Sequence, residues 1–421
     1  MKKVHLSSIF AVVLLSVLLL GKATAQRVVE TDLVANKSPL VDANGITHVP
    51  LSADPNLKNP WGVGESATSP FWISDNNAGV ATIYNTAGTK SALVVSIPSP
   101  GDPLGASGTP TGMVFNIASA KGGFMISGVD KNNNPVSAPA SFIFSTEDGT
   151  IVGWNPNVNP MGFDPLNVGK YAIIAVDNSA TPNAGNGAVY KGLAIATDPN
   201  GQTLLYATNF HSGKVDVFDT TFKKPESLAD DAFVDPHLNR EKHDHDHDGA
   251  VDDNDSHQRR ARMTYAPFNI VPVMINGETR LVVTYAIQDA TKHDDVAGQG
   301  HGIVDTFDLA GGSFHRFAQH GKLNSPWGVA VAPSSFGEIA GDLLIGNFGN
   351  GRINVFDSNG EFKGKLRNEA GKSIVIDGLW TIMVGNGGNG GRTDTIYFTA
   401  GPNDEEDGLF GSLSPVPEPN N

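Results

Sequence analysis

Cysteine is absent from the 421 residues. That excludes disulfide stapling and thiol catalysis, so an exported chain of this kind must rely on its core. Helical periodicity is nearly absent as well. In its place stand short β-branched and aromatic runs bounded by Gly, Asn and Asp, which read as strands and turns. Basic charge is scarce: 29 Lys and Arg face 44 Asp and Glu, a formal net charge of −15. Residues 1–25 hold three lysines and no acid, so −15 becomes −18 once they are removed. Such a chain repels nucleic acid and anionic membrane surfaces, and it suits cation binding. No phosphate loop, nucleophile motif or triad order is present.

The chain does have an export signal. Met1-Lys2-Lys3 precedes an apolar run from Ile9 to Leu20, and Ala23-Thr24-Ala25 offers a small-residue exit. Residues 1–25 therefore read as a signal peptide, with an uncleaved anchor as the competing reading. No later run reaches membrane-spanning length. The expected product is a soluble, monomeric protein that is secreted or periplasmic.

It also has a repeated phrase. Pro60-Trp61-Gly62-Val63 returns as Pro326-Trp327-Gly328-Val329, each followed by two further apolar runs that end in Asn or Asp. Weaker copies begin near Thr111, Lys191, Phe268 and Leu379, which makes six. Each unit is strand, turn, strand, turn, strand, and cannot bury its faces alone. The 48 Gly and 26 Pro serve the turns. The predicted fold is all-β: a six-bladed β-propeller over 26–413, with an irregular β-sandwich array as the competitor. Val28 to Ala35 alternates apolar and polar residues, and the last repeat lacks an outer strand. The N-terminal strand should therefore close the ring.

These phrases resemble a poorly characterised family of exported bacterial propellers, NHL-like in blade pattern, that often end in a PEP-type sorting tail. The resemblance rests on Asn59-Pro60-Trp61-Gly62, Ser145-Thr146-Glu147-Asp148-Gly149, Tyr265-Ala266-Pro267-Phe268-Asn269, Lys292-His293-Asp294-Asp295, Asp377-Gly378-Leu379-Trp380 and Val416-Pro417-Glu418-Pro419. The tail 414–421 stops at Asn420-Asn421 without an apolar helix, so free release is expected over anchoring.

Residues 239–264 form an acidic insertion. Within it, Asp244, Asp246 and Asp248 take the first, third and fifth slots of a twelve-residue calcium loop. Gly249 provides the sharp turn, Ala250 a carbonyl ligand, Asp252 a water-mediated ligand and Asp255 the closing carboxylate. Two readings compete with Ca²⁺: a solvated acidic linker, and zinc or nickel held by His243, His245, His247 and His257.

In blades of this pattern, the loop before the first strand and the loop after the second share one face. Asp75, Glu147, Asn209, Asp289, Asn347 and Asn403 should therefore converge there. Two functions compete. In one, the propeller is a binding or scaffold module for a protein, glycan or small molecule. In the other, it is a lactonase-like metal-dependent hydrolase or lyase. That enzyme would hold a second divalent ion in the central channel, through Glu147, Asn209 and Asp289, with His211 or His293 as general base.

Overall fold

The computed structural model describes residues 26–238 and 264–416. Residues 1–25 and 239–263, on which the expected signal peptide and calcium loop fall, lie outside them, as do residues 417–421. Six sheets, antiparallel apart from one short parallel pair of Val28–Ala35 with Ser52–Ala53, form the blades of a propeller. Their first strands are Pro60–Gly64, Pro110–Phe115, Tyr190–Thr197, Tyr265–Ile275, Pro326–Val331 and Leu379–Val384. Each first strand packs against the next, and the sixth packs back on the first, so these strands line one axis.

The repeated phrase explains how closely they pack. A Cβ on Gly62 would lie 2.4 Å from the carbonyl oxygen of Thr111, and one on Gly112 would lie 2.3 Å from the backbone nitrogen of Leu193. Neighbouring first strands do not form a ladder, so side chains tie them together instead. Thr111 donates to the Tyr190 carbonyl at 2.8 Å, Asn269 to that of Trp327 at 2.7 Å, and Thr381 to that of Trp61 at 2.7 Å. Apolar clusters fill the spaces between the blades.

The N-terminal strand closes the ring. Val28–Ala35 pairs antiparallel with Leu409–Pro415, from Val28 opposite Pro415 to Ala35 opposite Leu409, with a one-residue register shift between Asp32 and Val34. The last blade thus takes strands from both ends of the chain. Two features depart from a plain repeat. Among the described residues blade three has three strands, and blade two carries an extra hairpin, Met125–Val129 with Pro135–Pro139, between its first and second strands.

Candidate functional site

At one register of the six first strands stand Trp61, Thr111, Lys191, Phe268, Trp327 and Trp380. The aromatic members plug the axis. Trp61 stacks on Trp380 at 3.7 Å between centroids, Trp327 meets both edge-on, and Phe348 stacks on Trp380 at 3.9 Å. Lys191 is 1% exposed, and its ammonium lies 5.0 Å from the Trp61 ring centroid. Such a cation–π contact is stronger where water is excluded.

Two carboxylates hold the ammonium. Glu147, just past the second strand of blade two, pairs with it directly, and Asp294 lies 3.3 Å away. Burial pulls the Lys191 pKa down, but Glu147 and Asp294 raise it above the ordinary value. Asn76 donates to the other oxygen of Glu147 at 2.9 Å. The His293 ring lies 2.9 Å from Asp294; this bond holds the Asp294 carboxyl down to about 2 and lifts His293 above its usual value. Burial pushes Glu405 up to about 7, and Glu147 adds to the rise. Asn59 donates to Glu405 and accepts the Trp380 indole N–H at 2.8 Å. The mouth above the plug is therefore drawn from loops of blades one, two, four and six.

The convergence expected from the repeats is narrower than six residues. Glu147 reaches the axis. Asp75 is fully buried within blade one and accepts the Thr82 hydroxyl at 2.6 Å. Asn209 donates to Asp216 at 3.0 Å and caps its own turn. Asp289 accepts the backbone N–H of His293 at 2.9 Å, so it shapes the loop that carries His293 and Asp294. Asn347 donates to the Lys322 carbonyl, and Asn403 to the Val41 carbonyl and Asp407. Asn and Asp at strand ends complete turns here, which is their ordinary role. His211 is half-buried, with its pKa lowered by burial and by Lys292 and His293.

The donor atoms of Glu147, His293 and Asp294 all lie within 4.8 Å of one another, a spacing that suits a divalent ion. The residues nevertheless fit one poorly, because Glu147 and Asp294 already face the Lys191 ammonium. Asn209 and Asp289 are committed to their turns. Lys191 was not read from the sequence as a site residue, although one signal marks it: a lysine stands where three other blades have tryptophan.

Beyond the plug, the first strands line an apolar cavity of about 310 Å³ with Met113, Ile195, Ile270, Val329 and Ile382 among its walls. Glu65 stands at its rim, with its carboxyl pushed up to about 8 by burial.

Fold and site together define a six-bladed β-propeller whose axis is closed by a buried ion pair within an aromatic plug. The chain belongs to the family of the uncharacterised protein R648 of Acanthamoeba polyphaga mimivirus. It is 30% identical to R648 over 370 residues, 87% of this chain and 77% of R648. The uncharacterised protein L690 of the same virus is 31% identical over 363 residues, 86% of this chain and 81% of L690. No family model matches the chain. Among solved structures, a streptogramin B lyase aligns with TM-score 0.46 and 11% identity over 94% of this chain and 99% of that one. The PQQ-bound aldose sugar dehydrogenase of Streptomyces coelicolor aligns with TM-score 0.44 and 14% identity over 85% and 95%.

Proposed function

We propose that the protein is a binding module that works through the mouth around Glu147, Asp294 and Glu405, with the inserted loop as a peripheral calcium staple. One observation carries this reading: the cation on the axis is the side chain of Lys191, where a metal-dependent propeller enzyme would need an ion. Removing the Lys191 proton to admit an ion is disfavoured by its raised pKa. His293 is likewise raised by its bond to Asp294, which favours its protonated form and works against a role as general base.

The exposed part of the mouth sets the chemistry of the ligand. Carboxylates outnumber cations there, and ionised carboxylates only accept hydrogen bonds. Half-buried Phe348 lies on Trp380 in the plug. A neutral, hydroxyl-rich ligand such as a glycan suits this combination.

The test is affinity electrophoresis of the full chain through gels containing soluble chitin, starch or peptidoglycan fragments. At least one should retard the protein. Asp294→Ala should weaken that binding about tenfold or more, since a hydrogen bond to a charged group is worth roughly 1.5–3 kcal/mol. Chelator-sensitive turnover of a lactone or ester, lost in Asp294→Ala, would favour the hydrolase instead.

A further inference from the structure

A second group of metal-type side chains sits where the ring closes. Glu30 and Asp32 stand two residues apart on the N-terminal strand, so they share a face. A short hairpin, Leu40–Val41 with Thr47–His48, brings His48 onto that face. The His48 Nδ1 is 3.2 Å from both oxygens of Asp32 and 4.0 Å from Oε1 of Glu30. On the other side of the ring, Oδ2 of Asp42 lies 3.7 Å from His48 Nε2. The His48 side chain is 6% exposed and that of Asp42 is 0%.

Two observations distinguish this group from an ordinary ion-pair cluster. The Oε1 atom of Glu30 is buried and has no hydrogen-bond partner, yet it faces the imidazole. The group also lacks a lysine or arginine partner among the described residues. On the axis, Lys191 serves Glu147 and Asp294; between blades three and four, Arg316 serves Asp235 and Asp305. Among the described residues, no Lys or Arg pairs with Glu30, Asp32 or Asp42, and only His48 stands between them.

We propose that Glu30, Asp32 and His48 form a structural site for a divalent transition-metal ion, zinc by preference. One imidazole nitrogen with carboxylate oxygens suits zinc better than calcium or magnesium. Donor atoms 3–4 Å apart suit a shared ion with bonds of about 2.0–2.2 Å. Asp42, 3.7 Å from the far nitrogen of His48, then faces the N–H on that side of the ring. Water completes the coordination. The ion would clamp the closing strand to the hairpin, so it would act on stability.

The test uses the full chain stripped with EDTA and then melted with and without Zn²⁺. Zinc should raise the melting temperature by a few degrees. The rise should persist in Asp244→Ala/Asp248→Ala, which alters the acidic loop, and vanish in Glu30→Gln and His48→Gln. Co²⁺ should give visible d–d absorption in the wild type that Zn²⁺ displaces, a readout that needs no variant to fold. Equal zinc shifts in wild type and Glu30→Gln would overturn the site. So would a wild type with neither a shift nor a Co²⁺ band, which would leave His48 as a plain imidazolium partner of Asp32.

Discussion

Lys191 holds the buried charge at the centre of the ring. A buried ammonium is costly unless paired, and removing one partner of a buried pair costs roughly 3–5 kcal/mol. Lys191→Met should therefore destabilise the protein by about that amount in urea unfolding. Adding Glu147→Gln should restore part of the loss, because the amide no longer lacks a counterion. A Lys191→Met protein as stable as wild type would show that the pair is incidental. Glu65 makes a second prediction. Burial raises its carboxyl from 4.5 to about 8, so its contribution to stability is fully present below pH 4.5 and is lost as the pH rises through 8. Asp305, raised to about 8 chiefly by burial, acts in the same direction. The melting temperature should fall between pH 5 and pH 9, and Glu65→Gln should flatten that fall. A pH dependence unchanged in Glu65→Gln would contradict this assignment.

At the scale of elements, the ring closure makes the firmest prediction. Thr31 faces Ser412 across the antiparallel pair of first and last strands. The chain has no native cysteine, so Thr31→Cys/Ser412→Cys introduces a single clean pair. It should oxidise readily and stabilise the protein by about 2–4 kcal/mol, reversed by reductant. Failure to cross-link would place the N-terminal strand elsewhere. This closure was legible in the sequence, because an alternating strand at one end matched a missing outer strand at the other. The roles of the loop residues were not legible. Asn209 and Asn347 end the second strands of their blades and Asn403 follows that of blade six, yet each is drawn into local bonds that the repeat pattern does not specify.

The whole molecule shows why the axis escaped a sequence reading. Its ion pair joins Glu147, Lys191 and Asp294 from three different blades, with Glu405 from a fourth, so no local motif marks it. The six repeats did expose the architecture, because each one rewrites the same first strand. In the sequence the acidic insertion falls between blades three and four. Calorimetric titration with Ca²⁺ should therefore show binding heat that Asp244→Ala/Asp248→Ala loses, with little change in the melting of the propeller. Equal heats in both proteins would return the segment to a solvated acidic linker.

In the structure the Lys191 ammonium supplies the positive charge on the axis. Anomalous diffraction from crystals soaked in Mn²⁺ tests it most directly. No anomalous peak should appear among Glu147, His293 and Asp294, with the Lys191 side chain still between the two carboxylates. A strong peak there, with Lys191 displaced, would contradict it and move the protein toward the metal-dependent enzymes.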